Sequence, residues 1–97
     1  MAFVQLIEFR AADVEEVRRI DDEWRRATEG TRTARRELLA RDHSDPDRYV
    51  AIVFFDSYES AMENSSLPET KAAAEQYLKV TSGQPVFYDL DILEDRA

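Results

Sequence analysis

Arg48-Tyr49-Val50-Ala51-Ile52-Val53-Phe54-Phe55-Asp56-Ser57-Tyr58-Glu59 is the stretch whose reading decides the fold. Its first eight residues are rich in β-branched and aromatic side chains, with no turn-forming residue among them. An unbroken apolar run of this length reads as a strand buried on both faces. Asp56 with Glu59 three residues later is a helix-start pattern, so the strand hands directly into a helix. Tyr58, Ala61, Met62 and Ser65 then face one way for about two turns. Ser66 with Glu69, and Pro68 in a first turn, form a second start signal. The spacing predicts a helix broken near Ser65–Pro68, whose second part turns Leu67, Ala74, Tyr77 and Leu78 inward.

Working outward, Phe3 to Arg10 alternates Phe3, Gln5, Ile7 and Phe9 against Val4, Leu6, Glu8 and Arg10. Both sets are apolar near the middle, which marks a central strand. Asp13 with Glu16 predicts a capped helix whose inward stripe is Val14, Val17, Ile20, Trp24 and Ala27. Glu15–Arg19, Asp21–Arg25 and Asp22–Arg26 are acid-before-base pairs four residues apart, and Gly30 is the natural terminator. Thr33 to Asp42 carries charges on both faces, the habit of an edge strand. His43-Ser44-Asp45-Pro46-Asp47 is a turn, Ser82-Gly83-Gln84-Pro85 a loop, and Val86 to Leu93 the last strand.

The resulting order, β-α-β-β-α-β, predicts an α+β, ferredoxin-like four-stranded antiparallel sheet with two helices on one face. Residues 1–97 make one domain. Two helices leave the other face bare, where Val4, Leu6 and one side of the Tyr49–Phe55 strand would meet water. A second copy related by a two-fold axis is the simplest cover, so a homodimer with sheets packed face to face is expected.

The totals narrow the partners. The 97 residues carry a net charge of −8, which opposes binding to nucleic acid or to an anionic membrane. No run reaches the roughly 18 apolar residues of a membrane span. The start, Met1-Ala2-Phe3-Val4, has no basic leader segment, and a cytoplasmic location is expected. With no cysteine there is neither a disulfide framework nor a thiolate metal site. Arg32, Arg35, Arg36, Arg41 and Arg48 fall close together. Beside Glu37 and Asp42 they suit a solvated edge better than an anion site.

The junction Phe55-Asp56-Ser57-Tyr58-Glu59-Ser60-Ala61 and the step Ser66-Leu67-Pro68, in this element order, resemble the dimeric α+β barrel superfamily. Within it the chain is most similar to antibiotic-biosynthesis-monooxygenase-type domains. Met62-Glu63-Asn64-Ser65-Ser66-Leu67-Pro68-Glu69-Thr70 resembles a variant found in a bacterial subgroup of small members. The resemblance implies a cavity between helices and sheet and one of three roles: cofactor-free oxidation of aromatic polyketides, haem degradation, or ligand binding with structural dimerisation. Many such domains carry a histidine shortly before the second-helix proline, where this chain has Asn64. The haem-degrading members combine an asparagine, a tryptophan and an iron-ligating histidine. Here His43 lies in a turn and Trp24 on the first helix, so neither haem nor another metal is expected.

The candidate ligand-binding residues are Gln5, Trp24, Tyr49, Tyr58, Asn64 and Tyr77. Gln5 interrupts an apolar face, and a buried amide needs hydrogen bonds that a ligand or a neighbouring group could supply. Asn64 is unfavourable inside a helix, which suits either a site residue or a helix breaker. The tyrosines, Tyr88 included, and Trp24 suit an aromatic cavity or a plain core. His43 in its acidic turn and the Asp89–Asp91 pair suit solvent better than acid–base or metal chemistry. Two functions follow. One is a cofactor-independent monooxygenase-like enzyme for a small aromatic or polyketide-like molecule, with no metal or flavin and no catalytic residue assigned. The other is a non-catalytic dimeric module that binds a small ligand or scaffolds.

Overall fold

The computed structural model describes residues 2–97. Its elements are β1 (Phe3–Arg10), α1 (Val14–Ala27), β2 (Arg36–Arg41), β3 (Arg48–Phe55), α2 (Tyr58–Ser66), α3 (Pro68–Val80) and β4 (Val86–Asp91). The strands form one antiparallel sheet in the order β2-β3-β1-β4, with the two strands read as central at its middle. This is the expected ferredoxin-like α+β arrangement. The expected break divides the second helix into α2 and α3, with Leu67 between them and Pro68 at the start of α3.

Register decides what each face carries. Phe3 opposes Phe55, Gln5 opposes Val53, Ile7 opposes Ala51, and Phe9 opposes Tyr49. Side chains at directly opposed positions share a face, and this set meets the helices. Phe3, Val53 and Phe55 pack with Ala61 of α2, while Phe9 and Tyr49 pack with Ala11 and Val17. The alternate set lies on the opposite face: Val4 and Leu6 beside Phe54 and Ile52, flanked by Leu38 on β2 and by Val86, Tyr88 and Leu90 on β4. No helix covers it, and Leu38 and Leu90 remain 38% and 44% exposed.

The helices depart from the sequence pattern at their ends. Asp13 caps α1 by accepting from the Glu15 backbone N–H, so the box with Glu16 does not form. The inward stripe runs Val17, Ile20, Trp24 and then Thr28, not Ala27. Thr28 is fully buried, and its hydroxyl is satisfied there by donating to the Trp24 carbonyl at 2.7 Å. Gly30 takes φ +86°, the left-handed conformation that lets the chain reverse at no steric cost. Observed ion pairs on α1 join Arg18 to Glu15 and Arg19 to Glu23.

Ser57, not Asp56, caps α2. Its hydroxyl accepts from the Ser60 N–H, and Ser60 Oγ accepts in return from the Ser57 N–H. Asp56 is instead held by Arg35 at 2.6 Å. Ala61 and Asn64 point inward on α2, whereas Tyr58 and Ser65 face out. On α3 the buried position is Ala73, with Tyr77 and Val80 partly covered, while Ala74 and Leu78 face solvent. β2 begins at Arg36 because Thr33 is drawn toward α2, donating its N–H to Asn64 Oδ1 and its hydroxyl to the Ser60 carbonyl. β4 ends at Asp91.

Candidate functional site

Three elements bring charged groups together beside the β2 edge. Val17, Ile20 and Trp24 seat α1 on the core, which places Asp21 and Arg25, four residues apart, on its flank. After the Gly30 reversal the chain carries Arg32 back over Trp24, with its guanidinium carbon 5.7 Å from the ring centroid. β2 then sets Glu37 opposite Val53, on the helix side of the sheet. Asp21, Arg25, Arg32, Ala34, Arg35, Arg36 and Glu37 line a cavity of about 450 Å³, open on one side. That volume lies in the range of small-molecule sites, although the lining here is charged where such sites are mostly apolar.

Glu37 has a side chain only 20% exposed, and the Asp21 carboxyl lies close enough to act on it. Burial, reinforced by Asp21, pushes the Glu37 carboxyl from an ordinary 4.5 up to about 8, against the opposing pull of Arg25 and Arg32. Near neutral pH this pair therefore holds a proton that Glu37 can give or take. The Tyr77 hydroxyl donates to Asp21 Oδ1 at 3.3 Å from α3. Burial, then the charges of Asp21 and Glu37, push the Tyr77 phenol well above its ordinary range, so it stays a donor.

The arginines differ in what they hold. Arg35 is committed to Asp56, and Arg36 lies over the Phe54 ring at 5.7 Å. Arg25 reaches Glu37 only at 4.0 Å. Arg32 donates through Nη1 to the Arg25 carbonyl at 2.8 Å and to Thr28 Oγ1 at 3.3 Å, both uncharged acceptors.

Of the six residues singled out in the sequence, Tyr77 packs against the clusters of both Trp24 and Tyr49, and the others lie apart. Tyr77 and Trp24 pack in one cluster behind the cavity, and Trp24 Nε1 donates to Thr70 Oγ1 at 2.9 Å. Tyr49 stacks on Phe9 and accepts from Arg41 at 3.1 Å. Gln5 lies on the helix side and donates to Asp89 at 3.0 Å. Tyr58 is half exposed, edge-on to Phe3. Asn64 is buried with Oδ1 on the Thr33 N–H. His43 stays exposed in its turn, and among the described residues no three carboxylate or histidine groups gather as a metal cluster would.

Asp21 and Glu37 were not singled out, although each carried a signal. Asp21 directly follows the inward Ile20, and Glu37 is the one acid in Arg35-Arg36-Glu37-Leu38-Leu39-Ala40-Arg41. Both looked like surface charge, because pattern alone does not show that α1 and the β2 edge converge.

No protein-family model matches the chain, and no curated protein matches it. Solved structures do. A protein from Caulobacter crescentus, provisionally named an antibiotic biosynthesis monooxygenase, superposes with a TM-score of 0.81 at 16% identity, covering 96% of this chain and 91% of its own. SnoaB, a cofactor-independent oxygenase from Streptomyces nogalater, gives 0.80 at 10% identity over 97% and 95%. Rv0793 from Mycobacterium tuberculosis gives 0.78 at 13% identity over the whole of both chains. The chain thus has the fold of the antibiotic-biosynthesis-monooxygenase-like domains.

Proposed function

We propose that the protein is a homodimeric, cofactor-independent oxygenase for a small aromatic molecule, with the Asp21–Glu37 pair as its proton acceptor. The observation that carries this reading is the carboxyl pair itself, which lines a cavity of ligand size while Tyr77 reaches Asp21 from α3. With its carboxyl raised to about 8, Glu37 is ionised in a growing share of molecules above neutral pH, and in that form it is suited to take a proton from an activated CH₂ group. The carbanion would then combine with dioxygen to give a peroxide, which loses water to leave a ketone. The net change is CH₂ plus O₂ to C=O plus H₂O, and it balances without a further reductant. Tyr77, kept protonated, is placed to hold the charge on Asp21 in position.

The test is oxygen uptake with an anthrone such as 1,8-dihydroxyanthrone, which has an acidic CH₂ between aromatic rings. Uptake should rise above the uncatalysed rate and fall by roughly 100-fold in Asp21→Asn and Glu37→Gln, the usual scale for losing general-base catalysis. Uptake at the uncatalysed rate, or variants as active as the parent, would refute the reading.

A non-catalytic dimeric binding module is the second reading. Asn64 favours it, since its carbonyl is already engaged by the Thr33 backbone and Trp24 is engaged by Thr70. The homodimer belongs to both readings. It is supported by the uncovered face on which Val4, Leu6, Ile52 and Phe54 lie between further apolar side chains, since an apolar expanse of this kind marks an interface.

A further inference from the structure

The cavity brings two features together. One is a carboxyl pair able to keep a proton; the other is a pair of guanidinium groups with weak or no anionic partners. Arg35 is neutralised by Asp56. Arg25 has only its 4.0 Å approach to Glu37, and a protonated Glu37 gives it no charge to answer. Arg32 is fixed by the Arg25 carbonyl and Thr28 Oγ1, and among the described residues no carboxylate comes within 4.0 Å of it. Both bonds are made by Nη1. Arg32 is thus an anchored cation with donors to spare, backed by an indole face that shields it on one side.

An arginine fixed by neutral acceptors is pre-organised for a carboxylate, because little rotamer freedom is lost when the anion arrives. The chain as a whole is acidic, at −8, so this small positive spot is local and does not reflect a general basic surface.

We propose that Arg25 and Arg32 hold the carboxylate of a small aromatic acid in this cavity, with the Asp21–Glu37 pair turned toward the rest of the ligand. The proposal deepens the function above and rests on its reading of this cavity as the ligand site. The groups around the anion are Asp21 and Arg25 from α1, Arg32 from the connection and Arg35 and Glu37 from the β2 side, while Arg36 turns to the Phe54 ring and Tyr77 reaches Asp21 from α3. Burial raises the Glu37 carboxyl to about 8, so loss of its proton adds a negative charge that weakens binding of the anion.

The experiment is calorimetric titration of the intact protein with 1-naphthoate and with its neutral isostere 1-naphthamide, alongside amide chemical-shift mapping. Naphthoate should bind and shift the Arg25 and Ala34–Glu37 amides, and the amide should bind at least about tenfold more weakly, the scale of a lost charge-assisted bond. Arg32→Gln should weaken naphthoate by a similar factor and leave naphthamide unchanged. Naphthoate affinity should also fall between about pH 6 and about pH 9, and Glu37→Gln should flatten that fall. Equal binding of both compounds, or naphthoate binding indifferent to Arg32→Gln, overturns the anion assignment while leaving the cavity as a ligand site. Neither compound shifting those amides overturns both. Since Arg32 also supports the helix end, Arg32→Lys serves as a second variant. It keeps the charge without the fork, and should retain part of the preference for naphthoate.

Discussion

Glu37 sits on an edge strand with Asp21 on one side and Arg25 at 4.0 Å on another. Folding raises its pKa from 4.5 to about 8, so the folded protein holds this proton more tightly than the unfolded chain does. The resulting stabilisation is complete below about pH 4.5, shrinks as pH rises, and is gone above about pH 8. Replacing Glu37 with Gln should remove this slope, so melting temperatures measured from about pH 5 to about pH 9 should vary less than in the parent. A parent and a variant with parallel profiles would show that the carboxyl is not held as described. Asn64 gives a second residue-scale expectation. Asn64→Leu leaves the Thr33 N–H without its acceptor, and denaturant unfolding should report a loss of about 1–3 kcal/mol. Asn64 was legible as a residue needing explanation, but its partner was not, because Thr33 lies thirty-one positions away.

Secondary elements were the most readable part of the chain. The Tyr49–Phe55 run and the Phe3–Phe9 alternation fix the central strands, since only burial on two faces accounts for both. The break at Ser65–Pro68 was visible for a local reason, the missing N–H and fixed φ of proline. Helix starts were less so. Asp56 and Ser57 are adjacent and both cap well, and the choice went to Ser57 because Arg35 takes Asp56. Ser57→Ala should therefore cost about 1 kcal/mol by urea denaturation, while Asp56→Ala should cost less, since its salt bridge is solvent-exposed. The reverse order would mean that Asp56 is the cap in solution.

At the scale of the whole molecule, the uncovered face bearing Leu6, Ile52 and Phe54 is the surface through which the proposed dimer would form. The parent should scatter light as a particle of twice its 11.3 kDa chain mass. Leu6→Glu places a charge at the centre of that face, and should yield a monomer of lower melting temperature or an insoluble chain. A soluble, fully stable dimer would show that the sheets do not meet there. This face was readable from strand alternation alone. The cavity was not, because it depends on how α1 and an edge strand approach each other, and charged residues carry no apolar period to reveal that approach.

Glu37 and Leu38 are neighbours in the chain that serve opposite faces of β2. One belongs to the cavity, the other to the exposed apolar face. Because side chains alternate strictly along a strand, a single inserted residue between Arg36 and Glu37 would exchange their positions. The proposed site and the proposed dimer face would be disturbed in one step, each for a separate reason. A single-residue insertion in this edge strand would have to be absorbed as a bulge if both faces are to keep their side chains.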